Sequence, residues 1–284
     1  MSEAPPSMAA NPAGRSAPAP RRTSRPSSLW AFRGALSRRM QAAVGVGTSL
    51  LLLLAWEAAA RAGLVNSTFL PSPVAVLNAM LLMVQKQNLL WHAGVSTLRV
   101  WTAFALAAAM AVPVGILMSS YRVVGAALEP IIDFIRYLPV PALVPLSIIW
   151  FGVGESTKLY LLWLGTFFQL VLLVADDMRR VPQEYVEIAY TLGARTPQVL
   201  RDVAFRAMLP GLVDNLRITL GWCWTYLIIA EIVAADSGIG FVIWTARRYM
   251  KTPEVMAGVV VIGIIGLVTD QLLRAAHRRA FRYL

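Results

Sequence analysis

Long apolar segments alternate with polar or proline-rich stretches over most of this chain. A helix that crosses a bilayer needs about 20 consecutive, mostly apolar residues. Six segments approach that length and predict six crossings: Gln41–Ala60, Ser96–Met118, Leu128–Phe151, Lys158–Ala175, Leu216–Ala235 and Glu254–Leu273. We therefore predict an all-α integral membrane protein built as a bundle of six helices.

Prolines interrupt two of the predicted crossings. Pro113 lies within the second, and the third contains four prolines between residues 130 and 145. Backbone that leaves the helical path at membrane depth must be satisfied by protein or by a cavity. We therefore expect the third crossing to be broken and to face partner helices. The short, amphipathic segment Val74–Lys86 is predicted to lie at the membrane interface.

The composition agrees with a lipid-exposed protein. Hydrophobic residues make up 57% of the chain and charged residues 14%, with a mean hydropathy of +0.61. Soluble domains carry about 25% charged residues. A chain with so few charges is therefore better suited to a surface that faces lipid than to one that faces water.

Basic residues concentrate in three places and predict the orientation. The segment 1–39 carries seven arginines and is rich in Pro, Ala and Ser, so we predict a disordered basic tail before a membrane domain at 40–284. The C-terminus and the stretch Asp176–Asp214 are also rich in arginine. Six crossings would place all three on one side, and such residues accumulate in cytoplasmic flanks rather than marking a nucleic-acid surface. Both termini are therefore predicted to be cytoplasmic.

Metal and redox chemistry find little support in the sequence. Cys223 is the single cysteine, so no intrachain disulfide can form, and His92 and His277 are far apart with few possible co-ligands. We expect no metal site and no cofactor bound by this chain.

The stretch between the fourth and fifth crossings is patterned like a folded protrusion. Pro182 suits the first turn of a helix, and Gly193 suits the position after its end. Thr196-Pro197 reads as an N-cap and helix start, which predicts a second short helix that reaches Leu209-Pro210. We predict two short helices joined by a tight turn over residues 182–210, on the cytoplasmic face.

This stretch resembles a known motif. Residues 187–194, Glu-Ile-Ala-Tyr-Thr-Leu-Gly-Ala, followed by Leu209-Pro210, resemble the EAA loop of ATP-binding-cassette (ABC) importer permeases, with Ile188 in place of the usual second Ala. The stretches 70–73, 136–152 and 237–240 resemble the permease group for nitrate, sulfonates, taurine and bicarbonate. The resemblance covers roughly Ser67–Leu284.

The resemblance implies a type I importer in a bacterial inner membrane. Two permeases, here expected to be identical copies, would form the pathway among membrane lipids, and a periplasmic binding protein would deliver the solute. Two separate ATPases would bind ATP and Mg²⁺. The EAA-like loop 182–210 is expected to contact these ATPases through its coupling residues Glu187, Ile188, Ala189, Gly193, Ala194 and Pro210. The chain itself is predicted not to be an enzyme, because 152–158 lacks the Gly before Lys and the Ser or Thr after it that a phosphate-binding loop needs.

Polar residues at membrane depth are candidates for the solute path, because each ionisable one costs about 2.5–3.5 kcal/mol to insert. Glu231 is the first candidate, although an interhelical or intersubunit hydrogen bond explains it equally well. Asp133 and Arg136 are spaced to pair on a helix. The full candidate set is Glu231, Thr225, Trp222, Trp224, Asp133 and Arg136.

Three cations break the charge pattern, since Arg247, Arg248 and Lys251 fall in the outer loop between the last two crossings. We hypothesise an outer vestibule that attracts a small anion. Contact with an acidic binding protein or with lipid headgroups would explain these residues as well. An ion-coupled secondary transporter remains the alternative function, but it predicts a broken helix in both halves. A membrane-embedded enzyme has only Asp176 and Asp177 as clustered carboxylates.

Overall fold

A computed structural model describes residues 37–234 and 236–281, and all regular elements in these residues are helical. The predicted tail therefore lies almost entirely outside the described residues and stays a prediction. In chain order the helices are α1 (Arg38–Arg61), α2 (Pro73–Lys86), α3 (Leu89–Ser120), α4 (Arg122–Ile135), α5 (Val144–Phe151), α6 (Glu155–Arg179), α7 (Gln183–Thr191), α8 (Thr196–Gln198), α9 (Phe205–Ala234), α10 (Ile239–Arg248) and α11 (Thr252–Ala280).

The chain divides into two compact units, Met1–Leu52 and Leu53–Leu284. Within the described residues, the first unit consists of Ser37 and the beginning of α1. The second unit contains the end of α1 and every other helix, including all the residues discussed below as sites.

Among the described residues, four helices are long and apolar enough to cross a membrane, namely α1, α3, α6 and α11. A fifth crossing results if α4 and α5 are counted together as one span. The predicted fifth crossing falls in α9, which at 30 residues is about 45 Å long but mixes Asn215, Arg217 and Glu231 into its apolar sequence. Six crossings therefore stay a prediction, whereas the all-α membrane bundle is confirmed.

The centre of the bundle is formed by α3, α6 and α9. One apolar cluster packs Val100, Leu161 and Leu227 together, and a second packs Ala111, Leu170 and Leu212. The two clusters lie at successive depths along the same three helices. This core places the end of α6 and the beginning of α9 at one end of the bundle, and the beginning of α6 and the end of α9 at the other.

The prediction that Pro113 interrupts its helix is wrong, because α3 runs through it. Close packing explains this continuity. A Cβ added at Gly115 would lie 2.7 Å from the carbonyl oxygen of Val171, so the backbone of α3 rests directly on α6. This contact holds α3 in place past the proline, which removes one backbone donor.

The proline-rich segment is broken as predicted. A 3₁₀ turn at Val140–Leu143 separates α4 from α5, and the two halves are bent by 87°. The break starts where Pro139 and Pro141 deny backbone donors to a continuous helix. Val140 and Val144 are buried in the core around the break, so protein covers part of this irregular backbone.

The outer loop expected between the last two crossings is instead a helix, α10. One face of α10 is buried against the bundle through Ile239, Val242, Ile243 and Ala246. A helix of ten residues is too short to cross, and a search for segments of about 20 apolar residues does not detect it. The element was missed for that reason.

Candidate functional site

At one end of the bundle the chain forms the predicted protrusion. Helix α7 ends in a Schellman motif: the Gly193 N–H donates to the Tyr190 carbonyl at 2.9 Å and the Ala194 N–H to the Ala189 carbonyl at 3.0 Å. Gly193 has φ +82°, the left-handed conformation that glycine adopts without strain. The predicted role of Gly193 as the residue that ends this helix is confirmed. Pro182 occupies the N-cap position, one residue before the first turn in which it was predicted, and its side chain makes no capping hydrogen bond.

The second half of the protrusion differs from the prediction in two respects. The N-cap is Arg195 and not Thr196, because the Gln198 side-chain oxygen accepts the Arg195 backbone N–H at 2.8 Å. The short helix also does not end at Leu209-Pro210. It continues through a π-helical turn, Val199–Ala204, directly into α9, and Pro210 lies inside that helix.

One exposed stripe of α7 and its C-cap is apolar. Ile188 is 57% exposed and Leu192 is 82% exposed, with Tyr185 also exposed beside them. Ala189 points the other way and is buried. Glu187 and Gly193 are exposed, whereas Ala194 and Pro210 are half-buried. A rigid helix that presents apolar side chains outside the bundle is suited to binding another protein.

At the opposite end, a charged network is buried among α3, α6, α9 and α10. Arg99, 4% exposed, donates from Nη1 to Glu231 Oε1 at 2.8 Å and from Nε to Glu155 Oε2 at 2.7 Å. Its guanidinium also donates to the Ser237 carbonyl and hydroxyl oxygens, each at 2.7 Å. Lys158, also buried, pairs with Glu155 at 2.8 Å. Burial of these charges is tolerated because each is paired and hydrogen-bonded.

Glu231 is the centre of this network and is 1% exposed. The Ser96 hydroxyl donates to its carboxylate, with oxygen–oxygen distances of 2.7 and 2.9 Å, and the Gly240 N–H donates to Oε2 at 2.7 Å. Ser96 Oγ in turn accepts the Ile239 N–H at 2.9 Å. A carboxylate and a hydroxyl from two other helices thus satisfy the free N–H groups at the start of α10. Glu231 therefore makes interhelical hydrogen bonds, which are the alternative to a role for this residue in the solute path.

The loop before α10 fits around the carboxylate because it lacks side chains. Gly238 has φ +104°, and a Cβ there would overlap the Glu231 carboxylate. A Cβ at Gly240 would lie 2.6 Å from Glu231 Cβ. Next to them, the pKa of the exposed Asp236 is lowered, first because its carboxylate accepts its own backbone N–H and then because it accepts the Ser237 hydroxyl. The Ser-Gly-Ile-Gly stretch at residues 237–240 therefore packs closely around the Glu231 side chain.

The other path candidates are divided between two places. The expected pair of Asp133 and Arg136 is present, with 3.1 Å between Oδ1 and Nε. Arg136 and Trp222 line one cavity of about 60 Å³, together with Gln169 and Tyr226. Trp224 instead lies in the apolar core, and Thr225 is exposed with its hydroxyl bonded to the Trp222 carbonyl. The structure thus brings Asp133, Arg136 and Trp222 together and leaves Glu231 apart from them.

The three candidate vestibule cations are exposed at the end of α10 and just after it. The Arg247 guanidinium lies 4.8 Å from the centroid of the Trp244 ring. Lys251 pairs with Glu254 at 3.0 Å and lines a groove of about 280 Å³ that also contains Gln87 and His92. Cations at a helix C-terminus also complement the helix dipole, which is a structural reason for their position.

Sequence reasoning missed four members of the charged network: the buried Ser96, Arg99 and Lys158, and the exposed Glu155 that pairs with both cations. Arg99 gave a usable signal, because an arginine inside an apolar helix needs a partner. Lys158 and Glu155 were overlooked because they occur in the glycine-rich stretch that superficially resembles a phosphate-binding loop. Among the residues that the structure describes, no group of three or more His, Cys, Asp or Glu residues is placed to hold a metal ion.

Fold and site together define a class: a helical membrane bundle with a stiff protrusion at one end and a locked polar network at the other. The family model described as "Binding-protein-dependent transport system inner membrane component" matches residues 111–282, and the chain belongs to this family. It is the membrane-embedded permease subunit of an ABC importer, and ATP is hydrolysed by a separate subunit. It is a multi-pass inner-membrane protein that works with an ATPase and a substrate-binding protein.

Named relatives and one solved structure agree with this assignment. The taurine transport system permease protein TauC of Escherichia coli is 36% identical, over 87% of this chain and 91% of the relative. The bicarbonate transport system permease protein CmpB of Synechococcus elongatus is 28% identical, over 92% and 96%. An inward-facing structure of the MetNI methionine ABC transporter matches 68% of this chain and 97% of its own with a TM-score of 0.54 and 21% identity, which shows the shared fold.

Proposed function

We propose that this permease imports a small anion delivered by a periplasmic binding protein. The names of the relatives support an anionic solute, because they include permeases for taurine, aliphatic sulfonates and bicarbonate. Taurine and the aliphatic sulfonates share a sulfonate group, and bicarbonate is also an anion. The three cations Arg247, Arg248 and Lys251 at the far end of the bundle would raise the local anion concentration.

The coupling helix is the observation that carries the mechanistic part of the proposal. In this proposal α7 docks into a cleft of the ATPase, with Tyr185, Ile188 and Leu192 buried in the contact. The buried Ala189 lets the helix pack closely against the bundle, and Gly193 ends it in the left-handed conformation. Glu187 would pair with a basic or hydrogen-bonding group of the ATPase. ATP and Mg²⁺ would bind only to the ATPase.

The proposed assembly contains two copies of this permease and two ATPases, with α7 in the cytoplasm. The charge distribution supports that side. At the protrusion end, α11 finishes with His277, Arg278 and Arg279 and α6 with Arg179. Basic residues at one end of a bundle favour the cytoplasm. Both termini would then be cytoplasmic as well.

In this proposal the cavity beside the broken span contributes to the solute path. Arg136 offers a cation, Trp222 and Tyr226 offer aromatic surface, and Gln169 offers an amide donor. Asp133 holds Arg136 in place through their ion pair, which fixes the cation at one position along the path. An anion displaced from water would need such donors.

The test is reconstitution of the permease with its co-encoded ATPase and binding protein in proteoliposomes. Taurine, an alkanesulfonate, bicarbonate and nitrate are each added outside, and ATP hydrolysis and uptake are measured. We expect one of these solutes to stimulate both, and an R247Q/R248Q/K251Q variant to take up that solute more slowly. Uptake without ATP, or stimulation only by solutes that lack an anionic group, would contradict the proposal.

A further inference from the structure

A buried polar contact joins the two stems of the protrusion. Asp177 lies in the last turns of α6, two residues before that helix ends, and its side chain is buried. The Asn215 Nδ2 amide of α9 donates to Asp177 Oδ2 at 2.7 Å. The contact therefore lies where the chain leaves the bundle towards α7 and where it returns.

Close backbone approach strengthens this contact. A Cβ added at Gly211 would lie 2.8 Å from Asp177 Oδ1 and 3.1 Å from Asp177 Cγ, so the carboxylate rests on the glycine backbone. Gly211 directly follows Pro210, the last residue of the motif that marks the coupling segment. A side chain at position 211 would displace the Asp177 carboxylate from this contact.

The chemistry of this contact is unusual for a point that only needs packing. Two apolar side chains would join α6 and α9 with no desolvation cost, whereas a buried carboxylate needs partners that point at it. The Asp177–Asn215 hydrogen bond is directional and fixes the rotation and height of one helix relative to the other. An apolar contact allows sliding that a directional bond resists.

We propose that Asp177, Gly211 and Asn215 are positioning residues for transport. They hold the ends of α6 and α9 together, so that displacement of the protrusion moves both helices as one body. Without the contact between Asp177, Gly211 and Asn215, α7 still binds its ATPase. When α7 then moves, the ends of α6 and α9 separate instead of moving together. This inference rests on the proposed coupling of α7 to an ATPase.

The test uses the reconstituted complex with two variants, G211A and N215A. G211A introduces a methyl group against the carboxylate, and N215A removes the donor. G221A is the matched control, because it makes the same substitution in the same helix at a glycine with nothing within 4 Å of the added Cβ. Copurification of the ATPase, ATP hydrolysis and solute uptake are measured for each.

We expect G211A and N215A to bind the ATPase and hydrolyse ATP as the wild type does, while solute taken up per ATP hydrolysed falls about tenfold. G221A should keep the wild-type ratio. An unchanged ratio in both variants would overturn the proposal. Loss of ATPase binding would also overturn it, as would failure of both variants to accumulate while G221A accumulates, because the contact would then serve docking or folding. If the wild-type complex itself shows no ATP-driven uptake, the proposed function fails instead.

Discussion

The two ends of the bundle differ in which side chains they bury and which they expose. At the α10 end, Arg99 and Glu231 are removed from water and bonded to three other elements. At the α7 end, apolar Ile188 and Leu192 are turned outward, away from the core. Charged groups are buried at the α10 end, where they fix the helices, and apolar groups are exposed at the α7 end, where we propose that the ATPase binds. Whether the exposure of a side chain is favourable therefore depends on what that side chain contacts at its own end of the bundle.

The largest difference between the two ends should appear when Arg99 is replaced. In R99M, Glu231 loses its cation while it remains buried, and loss of one partner of a buried pair costs about 3–5 kcal/mol. We expect a large fall in thermal stability of the purified permease, measured by fluorescence-detected size exclusion after heating. R201M is the control, because Arg201 has a side chain that is 89% exposed. Equal thermal stability of R99M and R201M would show that the buried network does not stabilise the permease.

A smaller effect is expected at the loop that seats Glu231. G238A places a methyl group against the carboxylate in a backbone conformation that L-residues avoid, whereas G152A has a similar backbone problem, φ +75°, in open space. Both variants lose about 1–3 kcal/mol from the backbone, because positive φ with extended ψ is a conformation that essentially only glycine adopts. G238A should lose clearly more in the same heating assay. If G238A and G152A lose the same thermal stability, the close fit around Glu231 does not restrict the residue at position 238.

The smallest effect should come from a surface ion pair near the protrusion. Glu129 and Arg179 lie 3.0 Å apart, and both side chains are about 40% exposed. Exposed pairs contribute about 0–1 kcal/mol. E129Q should therefore melt within the error of the wild type. A loss comparable to that of R99M would mean that the α7 end is held as firmly as the α10 end.

The coupling segment was predictable because its signals are local in sequence. Gly193 after a short helix and Leu209-Pro210 at a fixed distance identify the motif without knowledge of the fold. The continuation of that helix through Pro210 was not predictable, since it depends on packing of Gly211 against Asp177. Proline signals a helix end on average, and tertiary contact overrides it here.

The buried network was only half predictable. Glu231 stood out as a charge in an apolar segment, but its partners Ser96, Arg99 and Gly240 come from residues up to 135 positions away. Sequence spacing cannot identify which distant helices meet. The cations Arg247, Arg248 and Lys251 were found by charge counting, although the helix α10 that carries two of them was not. Their role in attracting an anion stays a prediction.

The central claim is that α7 is the docking element for an external ATPase. It is tested most directly by co-purifying a tagged ATPase with L192E and L64E permeases. Both substitutions put a carboxylate in place of a highly exposed leucine, which is 82% exposed at the C-cap of α7 for Leu192 and 76% exposed near the opposite end for Leu64. We predict that L192E loses the ATPase while L64E retains it, with both permeases accumulating in the membrane. Retention of the ATPase by L192E at the wild-type level would contradict the claim.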